Sequence, residues 1–223
     1  MWLTVSRELS QEYAGLRAYL FKVTGVNMTS ADKISLDEAV RCVVQRVAAD
    51  YSPETLKDNS LVRSYRDFFW RVGLDPTKTR PAAEALLRRI LSGKAFPRIN
   101  PLVDTYNLAS VESGIPIAAF DLDKVREPLL MRRARRGETF LGIGMREPQL
   151  LEGKEVVVSD AEKLIAIYPY RDAAATMVTE KSTNILFMVC GAPSVGENQL
   201  EKTTNLTSNY VTRICGGTVI HEW

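Results

Sequence analysis

The chain has 223 residues, of which 45% are hydrophobic and 25% charged, with a net charge of +2. That balance excludes a disordered chain and allows a buried core of one large or two small domains. The longest apolar runs, such as ILFMVC at 185 to 190, fall far short of the roughly 20 residues of a membrane-spanning helix, and the first residues, MWLTVSREL, carry no signal-peptide pattern, so a cytoplasmic protein is expected.

The first half reads as helical. Ser35 with Glu38 forms a capping box ahead of LDEAVRCVVQRVAADY, where Val40, Val43, Val44 and Val47 share one face and predict a helix of about fourteen residues. SLVRSYRDFFWRVG offers Ser60 as a start and Gly73 as a stop. RPAAEALLRRILSG places Pro81 at the first helical position and Gly93 past the end. In FPRINPLVDTYNLAS, Asn100 is a natural N-cap because Pro101 follows it.

After Gly114 the period shifts toward two. IPIAAFDLD, PLLMRRA, GETFLGIG, KEVVVSD, KLIAIYPY and TNILFMVC read as short strands, with a hairpin turning between Ser159 and Lys163. A last helix within GENQLEKTTNLTSNYVTRICGG precedes a short strand in TVIHEW. Helices first and strands second make an α+β chain. No linker separates the halves, so residues 1–60 are read as a helical extension packed on a unit spanning 61–223.

Several side chains stand out by type and spacing. Asp104 and Asn107 lie inside a helix, where both are disfavoured, so either loops or a ligand must supply their hydrogen bonds. Asp121 and Asp123 end a strand as an acid/base pair, or cap a turn beside Arg126. The three cysteines, Cys42, Cys190 and Cys215, are odd in number and widely spaced, and the single histidine is His221; neither a disulfide framework nor a metal site is expected. The glycines of FLGIGM and the pair after Cys215 lack the context of a nucleotide-binding loop. Tyr65, Phe68, Phe69 and Trp70 read as core or as a base-stacking platform. Positive charge is concentrated: residues 63–98 hold nine Lys/Arg against three Asp/Glu, and residues 124–146 seven against two. Such clusters suit a polyanion or simply line solvated helix faces.

The succession WRVGLDPTKTRPAAEALLRRILSG, FPRINPLVDTYNLAS, GIPIAAFDLDKV, MRRARRGETF and VTEKSTNILFMV resembles the tRNA-editing domain of the phenylalanyl-tRNA synthetase beta subunit, over roughly residues 65 to 217. It is similar above all to free-standing proteins built from that domain. The resemblance implies a three-layer α+β fold with a mainly antiparallel, β-sandwich-like core. It also implies hydrolysis of the ester of a mischarged tRNA in trans, without cofactor or metal; a non-catalytic tRNA-binding module and a free amino-acid-binding protein are the alternatives. Carried over by position, Asp104, Asn107 and Thr183 become catalytic candidates that position substrate, and Asn107, Ala118, Asp121, Asn184 and Met188 line the amino-acid pocket. Asn107 and Asp104 would hold the α-amino end, while Thr183, Asn184 and backbone N–H groups near Gly114 orient water or carbonyl. Ala118 stands where the bacterial synthetase has a histidine, and Met188 falls near its tyrosine-reading glutamate. Arg80, Arg88, Arg98, Arg132 and Arg133 would contact the tRNA backbone.

Overall fold

The computed structural model describes residues 2–220; His221 and the end of the TVIHEW segment lie outside the described residues. Six helices are described: α1 (Arg7–Glu12), α2 (Lys33–Asp50), α3 (Ser60–Arg71), α4 (Ala82–Leu91), α5 (Pro101–Ser113) and α6 (Glu197–Cys215). The strands are β1 (Thr4–Val5), β2 (Ala18–Thr24), β3 (Ile117–Asp121), β4 (Leu130–Arg133), β5 (Thr139–Phe140), β6 (Gln149–Leu150), β7 (Val156–Ser159), β8 (Leu164–Ile167), β9 (Arg171–Asp172), β10 (Ile185–Cys190) and β11 (Thr218–Ile220). None of the described helices is long and apolar enough to cross a membrane.

One sheet runs β11-β2-β10-β3 and a second β1-β4-β7-β8-β9, with a small β5-β6 pair beside them. β10, ILFMVC, is buried at all six positions and pairs antiparallel with β2 on one side and β3 on the other. Its alternation sorts the layers. Phe187 stacks on its cross-strand partner Phe21 (4.9 Å) and meets Tyr106 of α5 edge-on (6.2 Å), so this face belongs to the helices. Met188, opposite Ala118 of β3, points the other way, toward the second sheet. The result is helices on sheet on sheet, a mixed α+β architecture. β7 shows the same period: Val156 and Val158 enter the main core, whereas Val157 joins a satellite cluster with Phe140, Leu151 and Ile167.

Helix ends follow local chemistry. Asn100 Oδ1 accepts the Val103 N–H at 2.9 Å, and Gly114, at φ 72°, ends α5 in the left-handed region that costs glycine little. Buried Thr203, Thr204 and Thr207 of α6 donate their hydroxyls to carbonyls four residues back, which lets polar side chains pack against the sheet. α2 departs from expectation: its cap is Asp32, which accepts from the Ser35 N–H (3.0 Å) and hydroxyl (2.7 Å), so the helix starts before the Ser35–Glu38 box and runs 18 residues.

The first sixty residues hold α1 and α2, but they are not purely the helical extension expected, because they also supply β1 and β2. AYLFKVT forms β2 in the interior of the first sheet, between β11 and β10, because its alternating burial suits a strand that must cover Phe187. The β7–β8 hairpin turns as expected, with a register shift at Val158/Ser159. Tyr65, Phe68 and Phe69 are core, while Trp70 is exposed.

Two measurements test this account. Asn100→Ala removes the α5 cap and is expected to cost about 1 kcal/mol in urea denaturation. Phe187→Ala empties the centre of the core and is expected to cost about 3–5 kcal/mol by the same method.

Candidate functional site

A narrow pocket of about 80 Å³ opens between the two sheets, where β3 and β10 face β8 and the turn into β9. Ala118 and Met188, directly paired across β3 and β10, make one wall with Cys190; Ala166, Ile167 and Tyr168 make the other. Ala82, at the start of α4, closes one edge. The wall is held from outside: the Tyr168 hydroxyl donates to Gly191 O at 2.6 Å, and the buried Tyr65 hydroxyl to Cys190 O, also at 2.6 Å.

Asp172, from β9, is the acidic group of this pocket. Its carboxylate makes no hydrogen bond or ion pair to the described residues, and its surroundings are mainly apolar. Although Asp172 as a whole is only half-buried, desolvation by this apolar lining pushes its proton affinity up from the ordinary carboxylate value to about 7. Neighbouring groups register the charge. Burial and then Asp172 raise the Cys190 thiol well above its usual range, which leaves it neutral and a poor nucleophile. The Tyr106 hydroxyl is raised too, by burial first and then by Asp172 and Asp104. Arg171 lines the same pocket, but its guanidinium is committed to Ile143 O (2.9 Å) and the Tyr170 hydroxyl (3.3 Å).

The residues singled out by sequence are divided by the fold. Ala118 and Met188 meet in this pocket. Asp104 lies elsewhere, in a cleft with Lys33, Asp37 and Arg98. Its Oδ1 accepts the Ile99 N–H at 2.7 Å, and burial lifts its carboxyl above the ordinary value against the pull of that N–H and of Arg98. Asp104 thus fixes the loop that enters α5. Asn107 is half-buried, and its side chain makes no hydrogen bond to the described residues.

Asp121 is buried at the end of β3, where it accepts from the Ser182 hydroxyl (2.7 Å) and lies 3.0 Å from the Lys124 ammonium. Burial opposes its charge, but these two partners outweigh it and hold the carboxyl below its usual value. Asn184 donates to both Asp123 oxygens (3.1 and 3.3 Å), so Asp123 closes a turn rather than pairing with Asp121 as acid and base. Thr183 is exposed, and its carbonyl accepts the Val26 N–H at 2.8 Å. Asn107, Asp121, Thr183 and Asn184, expected to line the pocket or act in it, do not line it.

The arginines divide as well. Arg132 forms a two-pronged pair with Glu138 (2.9 and 2.7 Å), and Arg133 is bonded to Glu12 and Tyr13. Arg98 pairs with Asp37 at 2.5 Å. Arg80 and Arg88 line a groove of about 380 Å³ along α4 with Arg89 and Lys94. Beneath it, buried Glu84 accepts from both Arg66 (2.9 Å) and Arg88 (2.7 Å) through Oε1, leaving Oε2 buried without a hydrogen bond. Among the described residues no three His, Cys, Asp or Glu side chains gather as metal ligands.

Sequence reasoning passed over Asp172 and Tyr168, and weighed Cys190 only for a disulfide or a metal site. The signal available was IYPYRD, in which an acid follows a strand and a run of aromatic, proline and arginine residues. An Arg-Asp pair after a strand reads as solvated turn chemistry, and nothing local shows that the aspartate turns inward.

Comparison with known proteins matches residues 64–218 to the B3/4 domain. A phenylalanine–tRNA ligase beta subunit of Nocardia farcinica is 33% identical over 174 residues, covering 76% of this chain and 20% of that protein. The corresponding subunit of Protochlamydia amoebophila is 36% identical over 89 residues, covering 40% and 11%. The chain therefore spans a fifth or less of the length of these relatives. An N-terminal fragment of the phenylalanyl-tRNA synthetase beta subunit from Pyrococcus horikoshii shares the fold, with a TM-score of 0.56 at 13% identity over 97% of this chain and 49% of the fragment. With a match over most of its length, in both sequence pattern and fold, the chain belongs to the B3/4 domain family, the domain it has in common with phenylalanine–tRNA ligase beta subunits.

Proposed function

We propose that the protein is an aminoacyl-tRNA deacylase that acts in trans in the cytoplasm, hydrolysing the ester of a mischarged tRNA in the pocket between the sheets. Residues 61–223 would carry the editing-like unit, and the first sixty would complete its sheet through β2. The observation that carries this reading is Asp172: a carboxylate without a partner among the described residues, in a largely apolar pocket walled by Ala118 and Met188, with a proton affinity near neutrality. A base suited to neutral pH has that property.

The chemistry asked of it is modest, because an aminoacyl ester is already labile. A water held by Asp172 attacks the ester carbonyl as its proton passes to the carboxylate. The tetrahedral intermediate then expels the ribose oxygen, which receives that proton and leaves as the hydroxyl. Asn107, whose side chain makes no hydrogen bond to the described residues, does not line the pocket, so its proposed contact is with the part of the aminoacyl end that lies outside it. Asn107 is next in sequence to Tyr106, which lies close enough to Asp172 to feel its charge. Asp104, spent on Ile99, drops out of this role.

The test is release of amino acid from a panel of mischarged tRNAs at stoichiometric protein. The unchanged protein is expected to deacylate at least one of them above the buffer rate, with Asp172→Asn slowing it by roughly a hundredfold or more. The active form of Asp172 is the deprotonated one, so the rate is expected to rise with pH through about 7, and this inflection is lost in Asp172→Asn. Asn107→Ala is expected to weaken turnover as well. No release from any tRNA rejects the hydrolase reading.

The groove along α4 supports a second reading, a tRNA-binding module without catalysis. Arg80 and Lys94 make no ion pair with the described residues, so their charges are available to phosphates. In either reading tRNA affinity is expected to fall steeply with salt. Replacing both side chains by Ala should flatten the log–log salt dependence by about two, as two phosphate contacts are lost. An unchanged slope places the RNA elsewhere.

A further inference from the structure

The interior of the pocket specifies more than a reaction. Its volume is about 80 Å³, whereas an apolar protein cavity that admits a benzene ring measures about 150 Å³. The limit is set by buried neighbours: Met188 is 1% exposed, Cys190 3%, Ala166 2% and Tyr168 1%. The hydrogen bonds of Tyr65 and Tyr168 tie the end of β10 in place, so this wall does not widen by sliding outward. Met188, an unbranched thioether, is the wall residue best able to change shape. The lining is mainly apolar, and Asp172 places a negative charge inside it, which disfavours acidic side chains. A long basic side chain exceeds the space.

Resting on the deacylase reading above, we infer that the pocket takes aminoacyl esters with small, uncharged side chains, such as alanyl and seryl, and rejects aromatic ones. Selection by size is inherently steep here. One methylene too many in a close-fitting apolar pocket changes the rate by about 10–200-fold, and a phenol ring exceeds an alanyl methyl by far more than one methylene.

The experiment compares alanyl-, seryl-, leucyl-, phenylalanyl- and tyrosyl-tRNA as substrates of the full chain. Alanyl or seryl release is expected to exceed tyrosyl and phenylalanyl release by at least about tenfold. Met188→Ala, which opens the wall, should raise leucyl or tyrosyl release relative to alanyl. Ala118→Val, which narrows the pocket from the paired strand, should depress release of all of them. Each variant is first checked for native far-ultraviolet circular dichroism; if Met188→Ala fails this check, the Ala118→Val comparison and the unchanged protein's ranking still decide. Tyrosyl or phenylalanyl release that equals or exceeds alanyl release overturns the size inference and leaves the deacylase reading standing. Absence of release from all five, with release from some other mischarged tRNA of large side chain, does the same. Absence of release from every aminoacyl-tRNA removes the deacylase reading, and the size inference falls with it.

Discussion

Strand β10 is the constraint on which the rest of the molecule depends. It hydrogen-bonds to β2 and β3 and is covered on both faces, so its six side chains divide the interior into two compartments. Phe187 and its neighbours Phe21 and Tyr106 close the helical side with aromatic contacts. Met188 on the opposite face contributes one wall of a space that does not close completely. The same strand therefore supplies both core stability and the pocket, and a change in its register would exchange the two faces.

Much of the architecture was written locally. The Asn100 cap with Pro101, the Gly114 stop, the Gly93 turn and the period-two runs after residue 114 each specify their elements through backbone chemistry that acts over a few residues. AYLFKVT was harder to read because it lies between helical stretches and its partners, β10 and β11, come some 160 residues or more later. Whether such a segment pairs within a sheet is decided by tertiary contacts, not by its own propensity.

The candidate site was legible in the same uneven way. The matching motifs pointed to Ala118 and Met188, and the fold sets them side by side on adjacent strands of one sheet. The polar residues were harder, because a carboxylate's sequence position says little about whether a backbone N–H or a hydroxyl already occupies it. Asp104 and Asp121 look available in the sequence and are engaged in the structure. Asp172 looks like a turn residue in the sequence, and in the structure its carboxylate has no partner among the described residues. Arg132 and Arg133 belong to a basic run by composition, yet both are bound into the structure by acidic partners.

Glu84 has a further consequence for the groove along α4. Two guanidiniums share one of its oxygens, so this buried cluster carries one more positive charge than negative, and the carboxylate does not cancel the field above it. It also holds the head of Arg88 in one orientation before any anion arrives. The rotamer entropy that a free arginine would lose on meeting a phosphate has been spent during folding, along with the burial of a carboxylate oxygen that lacks a hydrogen bond. Exposed Arg80 and Lys94 keep their freedom, so the groove combines a fixed charge with mobile ones: the first can set the register of a polyanion, and the others can follow its course.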